Sequence, residues 1–181
     1  MKHLKSFKVA VVIAVVVCIL ATLLGMRISV SRKASKLEKV FTSNTDGSDK
    51  GIGLYLKQID ESANNLISLG KQTGTSTDAL SAARDSYAKA KTYGEYYDAY
   101  LDICSAADLL NAELEGKQLT ENDRKLLQKY YQDGIKDQKN KLSHMAVGFN
   151  ESVDEYNNML KRFPLNLFRY LIGAKEAERF E

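Results

Sequence analysis

The sequence has few of the residues that interrupt helices or build catalytic and metal sites. Its 181 residues include one proline, two cysteines, two histidines and no tryptophan. Because proline breaks helices more strongly than any other residue, a single Pro164 permits long helices almost everywhere. His3 and His144 stand apart from each other and from Cys18 and Cys104, so no metal-ligand spacing and no nucleophile–base pair is present. We therefore expect no enzyme activity, no catalytic residue, no metal site and no cofactor.

An excess of charge of one sign is also lacking. The chain has 26 Lys and Arg against 23 Asp and Glu, a net charge of +3, and the two signs are interspersed. A nucleic-acid-binding domain would show a basic stripe and a high pI. The basic side chains that do cluster here flank one apolar segment. This pattern predicts no nucleic-acid partner.

One long apolar segment, residues 9–26, contains no charged side chain. Eighteen helical residues span about 27 Å, close to the roughly 30 Å hydrocarbon core of a bilayer. A cleavable signal peptide is the alternative, but its apolar region is usually shorter and ends in a small-x-small site, which is absent near Arg27. We therefore predict a basic N-terminal tail at 1–8, a transmembrane helix at 9–26 in the lipid bilayer, and a helical domain at 27–181.

The positive charges on the two sides of this segment bear on topology. Three lysines precede it, and five basic residues follow it within the next thirteen positions: Arg27, Arg32, Lys33, Lys36 and Lys39. Basic residues are enriched on the cytoplasmic side of membrane proteins. The larger count after the segment favours a single-pass protein of the cell membrane with its main domain in the cytoplasm.

Beyond the anchor, apolar residues recur in alternating steps of three and four, the spacing of a coiled-coil seam. The predicted helices cover 27–41, 50–72, 78–115, 120–163 and 164–173, with a loop at 42–49. The longest seam is Leu142, Ala146, Phe149, Val153, Tyr156, Leu160 and Phe163. No strand pattern occurs. The fold class predicted is all-α: a transmembrane helix followed by an elongated antiparallel helical bundle.

The end of the chain carries a recognisable series of motifs. Phe149-Asn150 is followed seven residues later by Tyr156-Asn157, then by Phe163-Pro164-Leu165-Asn166, Gly173-Ala174-Lys175 and a final Phe180-Glu181. This series resembles the C-terminal part of LemA family proteins. The family's Arg-Ala-Asp-Leu-Ile-Pro-like stretch has no counterpart, since residues 63–69 lack the arginine, aspartate and proline. The resemblance implies a membrane-anchored, elongated bundle of antiparallel helices and supplies no catalytic residue.

The same motifs provide the candidate interaction residues. They are Phe149, Asn150, Tyr156, Asn157, Phe163, Pro164 and Asn166. In the first interpretation the asparagines hydrogen-bond across helices and fix their register, as single polar residues do in coiled coils. In the alternative they form a strip that binds a ligand or a partner.

Two other features have alternative interpretations. Tyr97 lies on a predicted seam, and Tyr93, Tyr96 and Tyr100 are expected to form a rim with their hydroxyls in water; an exposed aromatic patch for a protein partner is the other possibility. The segment 164–173 is expected to close the end of the bundle. Its alternative position is on a membrane surface beside the neighbouring arginines.

Taken together, these patterns predict a membrane-anchored, non-enzymatic helical-bundle protein of the bacterial cell envelope. Its expected role is that of a scaffold or interaction protein for unidentified membrane or envelope proteins. The alternative is an envelope sensor that binds a small ligand between its helices.

Overall fold

The computed structural model describes residues 2–42 and 51–181, and within these ranges every regular element is helical. The elements are α1 (Lys2–Thr42), α2 (Ile52–Gln72), α3 (Asp78–Lys89), α4 (Tyr93–Glu115), α5 (Glu121–Leu127), a π-helical segment (Gln128–Lys136), α6 (Asp137–Lys161) and α7 (Leu165–Phe168). The all-α prediction is confirmed for this part of the chain. Met1 and residues 43–50, which include most of the predicted loop and the first residue of the next predicted helix, lie outside the described residues.

Helix α1 joins the apolar segment to the domain without interruption. The helix is long and apolar enough to cross a membrane from Val9 onward, and its most apolar window has a mean hydropathy of 3.0 with none of it buried. Further along the same helix Val30, Leu37 and Phe41 are buried in the domain. One rod-like helix therefore carries both the candidate membrane span and part of the core.

The prediction of a single helix over 78–115 is wrong, because residues 90–92 interrupt the helix between α3 and α4. The residue that starts α4 is Thr92, whose hydroxyl oxygen accepts a hydrogen bond from the Glu95 backbone at 3.3 Å, while the Glu95 carboxylate accepts from the Thr92 backbone at 3.3 Å. Such a reciprocal capping box stabilises a helix start. The Thr-x-x-Glu signal stands in the sequence, and the continuous heptad pattern concealed it.

Helices α3 and α4 fold back on each other as a hairpin with small side chains between them. Ala79, Ala82, Ala83 and Ser86 of α3 line one cleft with Asp102, Ser105, Ala106 and Leu109 of α4. Small residues allow helix backbones to approach closely. The seam predicted for the single helix over 78–115 included Leu101, whereas 40% of the surface of this residue is exposed.

The predicted helix over 120–163 contains a π-helical segment of nine residues in its first half. Thr120 caps its start by accepting a hydrogen bond from the Asp123 backbone at 3.1 Å. The π-helical segment buries Tyr131 and Ile135. Together with Leu127 these residues recur in steps of four, which drift around an α-helix of 3.6 residues per turn. The wider π turn keeps all three in the core.

Helices α1 and α6 run in opposite directions along each other. The rings of Phe41 and Phe149 lie 5.5 Å apart, and Val30 shares a second apolar cluster with Tyr156 and Leu160. The predicted α6 seam is buried or half-buried from Leu142 to Leu160.

The last predicted seam residue, Phe163, is an exception. Helix α6 ends at Lys161, and Arg162 adopts an extended conformation that takes the chain away from the helix axis. The prediction of a buried Phe163 is wrong, because 78% of its surface is exposed.

The final predicted helix over 164–173 is also wrong in length. Pro164 precedes α7, which has only four residues, and turns continue to Gly173. Gly173 has φ +71°, a left-handed conformation that glycine adopts without a steric penalty. From there the tail, residues 174–181, runs back along α6 without regular structure.

Candidate functional site

The two asparagines that the sequence singled out hold the C-terminal tail by its backbone. The side chain of Asn150 accepts a hydrogen bond from the Phe180 nitrogen at 2.8 Å and donates to the Phe180 carbonyl at 3.0 Å. Asn157 binds Ala177 in the same way, with both distances 2.9 Å. The Tyr156 hydroxyl adds a third contact by donating to the Lys175 carbonyl at 3.1 Å. We call this arrangement the tail clasp.

Helix and strand geometry explain the spacing of the tail clasp. Seven residues of α6 separate the asparagines, and an α-helix rises about 1.5 Å per residue, so they lie about 10.5 Å apart along the axis. Three residues separate their partners, and an extended chain advances about 3.3 Å per residue, which gives about 10 Å. The distance between the two asparagines along α6 thus nearly equals the distance between their partners along the tail. This match allows Asn150 to bind Phe180 while Asn157 binds Ala177. The expected hydrogen bonds between helices are replaced by bonds to an extended segment.

The tail clasp inserts Phe180 into an aromatic cluster at the centre of the domain. Phe180 is buried, and its ring centre lies 5.1 Å from that of Tyr97 and 6.2 Å from that of Phe41. Phe41 also contacts Tyr93 at 4.8 Å and Phe149 at 5.5 Å. Rings at these distances attract one another beyond the burial of their area. The cluster therefore joins α1, α4, α6 and the tail.

The structure separates the candidate residues into two groups. Phe149, Asn150, Tyr156 and Asn157 belong to the tail clasp or to the aromatic cluster beneath it. Phe163, Pro164 and Asn166 lie at the turn beyond α6, and the side chains of Phe163 and Asn166 are exposed.

Four residues of the cluster were not among the seven candidates: Phe41, Tyr93, Tyr97 and Phe180. The two tyrosines were interpreted only as a rim and a seam position, and Phe180 was noted only through the family resemblance. The sequence signal of Phe180 is weak, since a Phe-Glu pair shows no periodicity.

The tyrosine prediction is partly wrong. Tyr100 was expected on a wet rim but is only 4% exposed, and burial raises the pKa of its hydroxyl. Burial raises the pKa of Tyr87 to about 12. The Tyr131 hydroxyl donates to a carboxylate oxygen of Asp108 at 2.7 Å, and burial followed by this bond raises its pKa. These hydroxyls stay neutral at physiological pH and serve packing.

Cys104 lies next to Tyr100 and is buried. Burial is the largest cause that raises the pKa of its thiol from 9.0 to about 11. Because the thiolate is the reactive form, the thiol is a poor nucleophile at neutral pH. Within residues 2–42 and 51–181, no group of three or more His, Cys, Asp or Glu side chains is placed to hold a metal ion.

Two clefts on the surface of the domain are larger than the cleft between α3 and α4. One, of about 820 Å³, lies between α1, the start of α4 and the tail, and includes Glu38, Lys91 and Glu178. The other, of about 520 Å³, lies beside the π-helical segment. It is lined by Asn111, Glu115, Lys117, Leu119, Arg124, Leu127, Gln128 and Gln132.

No protein-family model, curated protein or solved structure matches the chain. The resemblance to LemA proteins therefore stays a prediction from the C-terminal motifs.

Proposed function

We propose that this chain is a membrane-anchored, non-enzymatic helical-bundle protein of the bacterial cell envelope, similar to LemA proteins, that acts as a scaffold or interaction protein. One observation carries the proposal: α1 is uninterrupted from its unburied apolar part to Val30, Leu37 and Phe41 in the core. An anchor of this kind fixes the domain at the membrane without a flexible linker.

The tail clasp supports a structural role for the domain. Phe180 contacts Phe41 of α1, so the end of the chain is fastened to the helix that carries the anchor. A scaffold has to present a constant surface to its partners, and a segment without regular structure is usually poorly ordered unless contacts hold it. The buried hydrogen bonds between the Asn150 side-chain amide and the Phe180 backbone provide that attachment.

The chemistry of the buried groups supports a role without catalysis. Catalytic nucleophiles are usually activated by a lowered pKa or by a neighbouring base. The pKa of Cys104 is raised, and those of Tyr87, Tyr100 and Tyr131 are raised too, all chiefly by burial. A raised pKa lowers the fraction of each group that is deprotonated at neutral pH, and so lowers its reactivity as a nucleophile.

Photo-crosslinking in intact cells tests the scaffold proposal. A photoreactive amino acid at Leu109 or Val147, both more than 60% exposed, samples two different helices of the domain. We expect one of the two positions to give a discrete adduct with a defined envelope protein, and the other to serve as its matched control. Diffuse labelling or no adduct from both positions would contradict the proposal.

Thiol labelling tests the proposed cytoplasmic location of the main domain. Cys104 cannot report on topology because it is buried, so a Leu109→Cys variant provides the accessible thiol. We expect a membrane-impermeant maleimide to label this variant only after the cells are permeabilised. Labelling in intact cells would place the domain outside the cytoplasm.

The sensor alternative has one observation in its favour, the polar cleft of about 520 Å³ beside the π-helical segment. π-helical turns occur frequently at functional sites. A bound ligand would shift the amide NMR signals of residues 111–132. If small-molecule extracts of the host cell shift none of them, this alternative loses its support.

A further inference from the structure

Beyond the end of α6, four large apolar or aromatic side chains are exposed within nine residues. They are Phe163 at 78%, Leu167 at 62%, Tyr170 at 77% and Leu171 at 74% exposure. We call residues 163–171 the apolar tip. Contiguous exposed apolar surface on a domain marks a contact with a partner or a membrane. The position of the apolar tip along α1 decides between these.

The pairing of α1 with α6 gives that position. Phe41 contacts Phe149, and eleven residues further along each helix, in opposite directions, Val30 lies in one cluster with Leu160. Helix α6 ends at Lys161, one residue after Leu160, so the apolar tip begins beside this cluster. The uncharged apolar segment of α1 ends at Met26, four residues or about 6 Å before Val30. The apolar tip therefore lies about one helical turn from the point where α1 would leave the hydrocarbon.

Packing holds the apolar tip at this level. Leu165, between Phe163 and Leu167, and Ile172, directly after Leu171, pack against the cluster of Val30 and Leu160. The Arg169 guanidinium donates to the Tyr170 hydroxyl and to the Glu176 carboxylate, both at 2.8 Å. The exposed side chains are thus presented by a turn that is fastened to α1.

The composition of the apolar tip suits the interface of a bilayer. Its apolar residues are adjacent to two exposed cationic residues, Lys161 and Arg162, and it includes a tyrosine. Aromatic rings and basic side chains are enriched at the level of lipid headgroups, where the apolar part of a side chain enters the acyl boundary and its polar end stays wet.

We propose that the apolar tip is a second membrane contact, which inserts Phe163, Leu167, Tyr170 and Leu171 into the interface of the same bilayer that holds α1. This inference rests on the proposed membrane anchor. A single helix can tilt and rotate in a bilayer. A second contact beside it fixes the tilt of the domain and so determines which surface faces a partner. Residues 164–173, which were expected to close the end of the bundle, then also contact the lipid.

Tryptophan fluorescence of the full chain in lipid vesicles tests the proposal, because the natural sequence contains no tryptophan. Three single variants are compared in vesicles of phosphatidylcholine and phosphatidylglycerol with brominated acyl chains. Leu171→Trp reports on the apolar tip, and Val16→Trp reports on the anchor. Leu109→Trp is the matched control, because Leu109 is an exposed leucine of α4. Its neighbour Asp108 accepts a hydrogen bond from Tyr131, which precedes Phe149 by 18 residues and so lies on the side away from the apolar tip.

We expect lipid-attached bromine to quench Val16→Trp and Leu171→Trp several-fold more than Leu109→Trp. The Leu171→Trp signal should be quenched best by bromines near the headgroups. If Val16→Trp is quenched and Leu171→Trp is not, the anchor stands and the inference is wrong. If Val16→Trp is not quenched, the anchor fails and the inference fails with it.

A second measurement separates lipid from protein contact. Adding Phe163→Asp and Leu167→Asp to Leu171→Trp should reduce its quenching to the level of the Leu109→Trp control, and the same pair added to Val16→Trp should leave its quenching unchanged. If the Leu171→Trp emission is blue-shifted but is not quenched by brominated lipid, the apolar tip packs against a second copy of the chain and the proposal is wrong.

Discussion

Asn150 and Phe180 lie 30 residues apart in the chain, and the side-chain amide of Asn150 satisfies both backbone polar atoms of Phe180. The pair is buried, so neither partner can turn to water when the other is removed. Phe180 is held among Phe41, Tyr97 and Tyr100 by this one side chain and by its own ring contacts.

The first prediction follows from that pair. Asn150→Ala leaves a buried N–H and a buried C=O unpaired, and each costs about 1–3 kcal/mol. We expect the free energy of unfolding, measured in urea, to fall by about 2–6 kcal/mol, and hydrogen exchange of residues 174–181 to accelerate. Asn158→Ala, an exposed asparagine of the same helix, is the control and should change stability little. Equal effects of the two substitutions would refute the role of the tail clasp.

The second prediction concerns the contact between the π-helical segment and α2. A Cβ at Gly134 would lie only 2.7 Å from the Cβ of Ser62 and would also collide with its hydroxyl oxygen. Overpacking of this kind costs about 1–3 kcal/mol. We therefore expect Gly134→Ala to lower the melting temperature. Gly148→Ala, in α6 with nothing within 4 Å of its new Cβ, should raise stability by up to about 1 kcal/mol. A stabilising Gly134→Ala would be inconsistent with this packing.

The third prediction concerns the break between α3 and α4. Thr92→Ala removes the hydroxyl that accepts from the Glu95 backbone, and loss of such a cap costs about 1 kcal/mol. Thr92→Ser keeps the hydroxyl and should stay close to the natural chain in a urea titration. If the two substitutions behave alike, the reciprocal cap does not stabilise the start of α4.

The fourth prediction concerns alkaline pH. Burial raises the pKa of Cys104 to about 11, above the ordinary 9.0 that it regains on unfolding. The unfolded chain therefore releases this proton first, and the stability due to the neutral thiol is constant below pH 9 and lost as pH rises towards 11. The Cys104→Ala variant should show a smaller loss of stability between pH 8 and 10.5 than the natural chain.

A labelling experiment checks the same environment at neutral pH. Iodoacetamide should modify Cys104 only in denaturant, whereas the exposed thiol of a Leu109→Cys variant should react at once. Rapid modification of Cys104 in the folded chain would contradict its burial.

Local patterns were sufficient for the helices and for most of their buried faces. In α2, Leu56, Ile59, Ala63, Leu66 and Gly70 recur in steps of three and four, the spacing used to predict the helices, and all five are buried. The same reasoning failed at residues 90–92, because apolar residues can keep the spacing of a heptad across a turn between two helices. It also failed at Phe163, since the direction of the chain after Lys161 depends on what α6 packs against.

The sequence by itself determined an all-helical chain with one helix apolar enough to cross a membrane, because helix periodicity and hydrophobic length are local properties. It also marked Asn150 and Asn157 as a pair. Only the tertiary structure decided that they hold the tail, since a hydrogen bond between residues 30 positions apart leaves no periodic signal. The same holds for the apolar tip, whose level beside α1 follows from the pairing of two distant helices.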